Sequence, residues 1–206
     1  MAPHQQTRRS PRRRGSREET MQKLVHSGLD VFSRHGFDGA STKMVAEHAD
    51  VNEALISRYF GGKEGLLRAI ILQSARDANT QATEYPAGNT VEQEIVNFLT
   101  AAIDAFGRNP AFLRLLLSRT IISPTRQRSL MKELTRVGEI HLIGRLAEFQ
   151  AREVISSSVN LRDVSEILQL FIVGMLLKRL LWGSSRVHVN RTIAQMAHAI
   201  AQSVQQ

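Results

Sequence analysis

The sequence predicts an all-α protein of about nine helices: a three-helix helix-turn-helix unit, then a larger helical domain. Three observations carry this expectation. Apolar residues recur at the 3.6-residue period almost throughout, while the period-2 alternation of strands is nearly absent. Start signals (Ser, Thr or Asn before an apolar run) and stop signals (Gly, Pro) punctuate the chain at helical lengths. Hydrophobic residues make up 42% of the chain but aromatics only 5%, which suits a packed aliphatic interior.

The first helix opens at Ser16, whose pairing with Glu19 makes a capping box. Its stripe is Met21, Leu24, Val25, Gly28 and Phe32, and Gly36 stops it as a left-handed C′ residue. The second starts at Thr42 as N-cap and runs to about Ala49. Asp50-Val51 makes a turn, and Asn52 caps a third helix that ends at Phe60. Gly61-Gly62 breaks the chain before a fourth helix, from Lys63 to about Ala82. "TEYPAGN" at 83–89 is the strongest internal boundary. A fifth helix follows with the stripe Val91, Ile95, Phe98, Leu99, Ala102, Ile103 and Phe106. Pro110 opens a short sixth and Pro124 a long seventh, to about Val154. "SSSVN" (156–160) precedes the eighth, Leu161–Trp182. The last, about Val189–Val204, aligns Ile193, Met196, Ala197, Ile200 and Val204. The expected organisation is a disordered basic arm (1–15), a helix-turn-helix domain (16–62), a connecting helix (63–82) and a second domain (83–206).

The net charge of +8 is unevenly placed. Residues 1–17 hold six arginines, including Arg12, Arg13 and Arg14, and no acid, which leaves +2 for the rest. Such an arm seeks an anionic polymer, or serves as a solubilising tail. No Cys is present, which removes thiolate metal sites and cysteine nucleophiles and fits a reducing, cytoplasmic setting. The seven His lack H-x-x-x-H spacing, so no metal is expected, and no cofactor motif stands out. Gly61-Gly62-Lys63 is not a phosphate loop, because Glu64 replaces the required Ser or Thr and no strand precedes it. "GSS" at 183–185 is not a nucleophile elbow. The most apolar run, Ile167–Trp182, is too short for a bilayer and contains Lys178 and Arg179, so it predicts a buried helix and no membrane span. No catalytic constellation remains.

The third helix is the informative one. Counted at 100° per residue from Asn52, Ile56 and Phe60 fall at about 40° and 80° and point into a core. Ala54, Leu55, Ser57 and Arg58 lie opposite, with Tyr59 at the rim. This outward face suits a major groove, where Arg bonds guanine edges and small apolar groups meet a thymine methyl. Helix geometry alone equally allows a short solvated amphipathic helix. The capped helix before it makes a helix-turn-helix arrangement. Thr42, Lys43, Tyr59 and Lys63 surround it with groups suited to phosphate, and Asn52 and Glu53 at its start complete the expected DNA-contacting set.

"AEHADVNEALISRYFGGKEGLL" resembles the signature of the TetR (tetracycline-repressor) family, roughly A-x-x-A-G-V-S/N-x-x-x-L/I-Y-x-Y/H-F-x-x-K-E-x-L. Ala46, Ala49, Val51, Asn52, Ile56, Tyr59, Phe60, Lys63, Glu64 and Leu67 stand where that pattern places them, and "HGFDGAST" resembles its lead-in. Asp50 replaces the customary turn Gly, which Asp tolerates in the left-handed region. Ser57 replaces a frequent phosphate-contacting Tyr.

The resemblance implies a homodimeric, ligand-responsive regulator, expected to be a repressor, that binds a near-palindromic double-stranded DNA operator and leaves it when a small effector binds. The mostly apolar candidate lining suits a hydrophobic effector. Dimerisation would use the last two helices. On the eighth, Val164, Ile167, Leu168, Phe171, Met175 and Leu176 form a core face, and Leu170, Val173, Leu177 and Leu181 a second apolar face. On the ninth, Ala194, Ala197 and Ala201 allow close approach. The effector would lie among helices five to eight, with Phe98, Ile103, Phe106, Phe112, Leu116, Leu134, Phe171 and Met175 as candidate walls and His141 as a polar handle. A plain core would use the same residues. Two alternatives stay open: a helical ligand-binding protein without DNA binding, and an effector-independent DNA-binding protein.

Overall fold

A computed structural model describes residues 17–122, 124–183 and 185–205, with side chains for all of these except 117–134. Nine helices, and no strand, occur among the described residues. They are α1 (Arg17–Gly39), α2 (Thr42–His48), α3 (Ala54–Phe60), α4 (Lys63–Thr83), α5 (Val91–Gly107), α6 (Pro110–Ile122), α7 (Pro124–Ala151), α8 (Leu161–Trp182) and α9 (Arg186–Val204). Gly36, at φ 70°, interrupts α1 where the sequence places its stop. Asp50, at φ 52°, takes the left-handed turn position. The expected cap Ser16 and the arginine arm, with Arg12, Arg13 and Arg14, lie outside the described residues.

Three boundaries differ from expectation, one of them the end of α7, at Ala151 instead of about Val154. Ser41, not Thr42, caps α2: its hydroxyl accepts the Met44 N–H at 3.1 Å. Adjacent hydroxyls both suit an N-cap, and Thr42 is instead engaged by Glu53. Helix α9 starts at Arg186, because the Ser185 hydroxyl accepts the His188 N–H.

The chain builds two hydrophobic cores. The N-terminal one gathers Leu24, Val31, Phe32, Val45, Ile56, Leu66, Ile70 and Ile71 from α1–α4, and α6 adds Phe112, Leu115 and Leu116. The C-terminal one is built by α5, α7, α8 and α9, with Ile95, Leu99, Leu142, Leu146, Leu168 and Ile193 among its members. Helix α4 enters both, through Leu66–Ala75 in the first and Ala82 in the second. Helix α6 also enters both, since Leu113 faces the second core. A Cβ at Gly28 would stand 2.7 Å from Ile70 Cδ1, so its absence lets α1 and α4 approach closely.

The outer face of α8 is apolar and exposed. Ile167, Leu170, Val173 and Leu181 are 46%, 66%, 41% and 58% accessible. Ile167, expected in the core, therefore belongs to this outer stripe. On α9, Ala197 and Ala201 are buried in their own subunit's core, so of the three alanines expected at an interface only Ala194 faces out. Among the described residues no helix is long and apolar enough to cross a membrane.

Candidate nucleic-acid interface

Helix α3 is aimed from both ends. At its start, the Asn52 side chain accepts the Ala54 N–H at 2.8 Å, which satisfies an otherwise orphaned donor. The Thr42 hydroxyl donates to the Glu53 carboxylate at 2.6 Å, tying the first turn of α2 to the entry of α3. At its end, Gly61 closes the helix at φ 74° and Gly62 turns the chain at φ 116°. A Cβ on Gly65 would collide with the Phe60 carbonyl oxygen, so α4 can start this close to α3 only with glycine there. Sequence reasoning did not single out Gly65; its place after two turn glycines was the available signal.

The helix buries Ile56 completely and Phe60 partly, as its periodicity predicts. Ala54, Ser57 and Arg58 are exposed. Leu55 is half-buried against the N-terminal core, so the outward face is narrower than expected. The physical reason is that Leu55 lies only one residue from Ile56 on a helix of 7 residues, and the neighbouring elements reach its flank.

The flanking candidates are held in place. Tyr59 packs edge-on to Phe60 at 6.5 Å, with the Arg17 guanidinium 5.4 Å from its ring centre. The Lys63 ammonium sits 4.4 Å from the centre of the Phe37 ring, at the start of α4. Lys43 is exposed and only loosely paired with Glu47, at 4.0 Å. Thr42 and Glu53, both expected to face nucleic acid, bond each other and so contribute rigidity to the unit. Cations, hydroxyls and the N-terminus of α4 thereby surround an exposed helix bearing Ala54, Ser57 and Arg58. A phosphate backbone is recognised by groups of this kind, and base edges by a helix face of this kind.

A cavity of about 150 Å³ lies in the second half of the molecule. Phe98, Phe106 and Leu116 of the expected set line it, with Leu113, Gly138, Ile172 and Leu176. The other candidates are placed elsewhere. Phe112 is drawn into the N-terminal core, because α6 serves both cores. Ile103, Met175 and Phe171 pack in the C-terminal core without reaching the cavity wall. His141 stands edge-on to Tyr85 at 5.3 Å, and burial, with the Arg145 cation, lowers its pKa. The Leu134 side chain lies outside the described residues.

A buried ion pair stands beside His141. Arg145 donates to both oxygens of Glu94, at 3.0 and 2.9 Å, and the Gly88 N–H adds a third bond at 2.7 Å. Burial alone would raise the Glu94 carboxyl, but these donors outweigh it and hold its pKa below the ordinary carboxylate value. The Tyr85 hydroxyl is buried beside the pair without closing a hydrogen bond among the described residues, and burial followed by the Glu94 charge raises its pKa. The cluster fastens the α4–α5 connection to α5 and α7.

The family described as "Bacterial regulatory proteins, tetR family" matches residues 24–70. The chain is similar to the YttP protein of Bacillus subtilis (strain 168), with 35% identity over 78 residues, or 36% of this chain and 38% of that one. It is similar to the HTH-type transcriptional regulator BetI of Vibrio vulnificus (strain YJ016), with 31% identity over 127 residues, or 60% and 63% of the two chains. These alignments span less than two thirds of either relative. A solved TetR family transcriptional regulator, PfmR from Thermus thermophilus, shares the fold with a TM-score of 0.63 at 17% identity, over 87% of this chain and 97% of that one.

Proposed function

The chain belongs to the TetR family of bacterial regulatory proteins, and from that premise we propose that it is a DNA-binding transcriptional repressor. The family is one of regulators and not of enzymes. The observation that carries the reading is the exposed face of α3, clamped at Asn52 and Glu53 and released at Gly61-Gly62. Arg58 and Ser57 read base edges, and Ala54 meets a thymine methyl. Lys43, Tyr59, Lys63 and the arm arginines hold phosphates.

Two copies bind one palindromic operator, their α3 helices about 34 Å apart in successive major grooves. The exposed stripe of α8 (Ile167, Leu170, Val173, Leu181) supports dimerisation through α8 and α9, because contiguous exposed apolar surface marks an interface. A small hydrophobic effector enters the cavity among α4–α8 and releases the operator. Selection from random duplexes tests the reading: it predicts enrichment of one inverted repeat. Enrichment of nothing, or of sites without dyad symmetry, contradicts it.

A further inference from the structure

The cavity of about 150 Å³ specifies the chemistry of its occupant more closely than "hydrophobic". An engineered cavity of about this volume in another protein takes up benzene or xenon. Phe98 and Phe106, two turns apart on α5, offer aromatic surface to a planar ring. The wall is almost wholly apolar, and four polar residues border it: Asn79 from α4, Thr135 and Glu139 from α7 and Gln169 from α8. Among the described residues of the wall there is no Lys, Arg or His, and the single ionisable group is Glu139. Its ion pair is with Arg162, 3.8 Å away on a side chain 77% exposed, which does not line the cavity. A carboxylate entering this space would lose its hydration with no cation among the described wall residues to replace it, and would meet Glu139. An ammonium would lose its hydration facing a carboxylate that already has a cationic partner.

We propose that the cavity takes a small uncharged molecule of one or two rings, excludes its carboxylate analogues, and owes part of this charge selection to Glu139. This inference rests on reading the cavity as the effector site. Gly138 gives a handle on it. A Cβ there would touch Phe98 and Asn79 at 3.9 and 4.0 Å, both on the cavity wall, so a larger side chain at 138 projects into the space while the helix stays intact.

Calorimetry on the full chain without DNA, with indole, indole-3-carboxylate and tryptamine as probes, tests the assignment. Indole is expected to bind at least roughly tenfold more tightly than the carboxylate. Glu139→Gln is expected to narrow that gap by improving carboxylate binding alone. Gly138→Leu, checked for native circular dichroism, is expected to abolish indole binding. Equal or tighter binding of the carboxylate, tighter binding of tryptamine than of indole, no binding of any probe, an unchanged gap in Glu139→Gln, or undiminished indole binding in folded Gly138→Leu would each overturn the proposal. A DNA arm separates the two readings. If indole binds as expected but leaves operator affinity unchanged, the ligand class stands and the effector reading fails.

Discussion

Removing the cation from the buried pair, by Arg145→Ala, isolates what holds α7 against α5. Glu94 is 0% exposed and has three close donors, two of them from Arg145. The variant leaves a buried carboxylate with the Gly88 N–H alone, and breaking a pair in this way costs about 3–5 kcal/mol. For a chain of this size that lowers the melting temperature by roughly 6–20 °C. The pH dependence carries more information than the magnitude. In the wild type the Glu94 carboxyl is depressed, so its stabilisation is present above the ordinary carboxylate range and is lost as pH falls through the folded value. In the variant, burial without the cation raises the same carboxyl, so acid relieves the penalty. Stability measured by urea denaturation at several pH values should therefore show a gap that is widest near neutrality and closes toward acid. A gap under about 1 kcal/mol at neutral pH, or one that does not change with pH, would refute this account of the cluster.

Three further outcomes follow from the structure. Gly65→Ala should cost about 1–3 kcal/mol or more, because its Cβ meets the Phe60 carbonyl, whereas Gly144→Ala, with nothing within 4 Å, should stabilise; thermal melts compare them. Leu170→Glu, at a site 66% exposed, should keep the fold within about 0.5 kcal/mol and convert a dimer to a monomer by analytical ultracentrifugation. Removing residues 1–15 should weaken DNA binding at all sequences and flatten its salt dependence in titrations between low and moderate salt.

Much of the helical framework was legible because its signals are local. Asn160 caps α8, whose limits match the expected Leu161–Trp182, and the Gly36 and Asp50 conformations follow from residue type. What was not legible depends on partners distant in sequence. The Glu94–Arg145 pair joins residues 51 apart, and no pattern in either segment announces it. Helix α6 serves two cores, which moves Phe112 away from the cavity although its composition resembles that of a cavity wall. Ile167 lies on the boundary between the two apolar faces of α8, where periodicity cannot assign it. On α3 the wheel separated Ile56 from Arg58 correctly but could not see which neighbours cover Leu55.

The central claim is that the exposed face of α3 reads base sequence. It is tested most directly by fluorescence anisotropy on the selected duplex and on a scrambled one, for wild type and Arg58→Ala at one salt concentration. The account predicts that wild type strongly prefers the selected duplex, and that Arg58→Ala loses about 1–3 kcal/mol of that preference while its binding to the scrambled duplex changes little. Equal preference in the two proteins would contradict it.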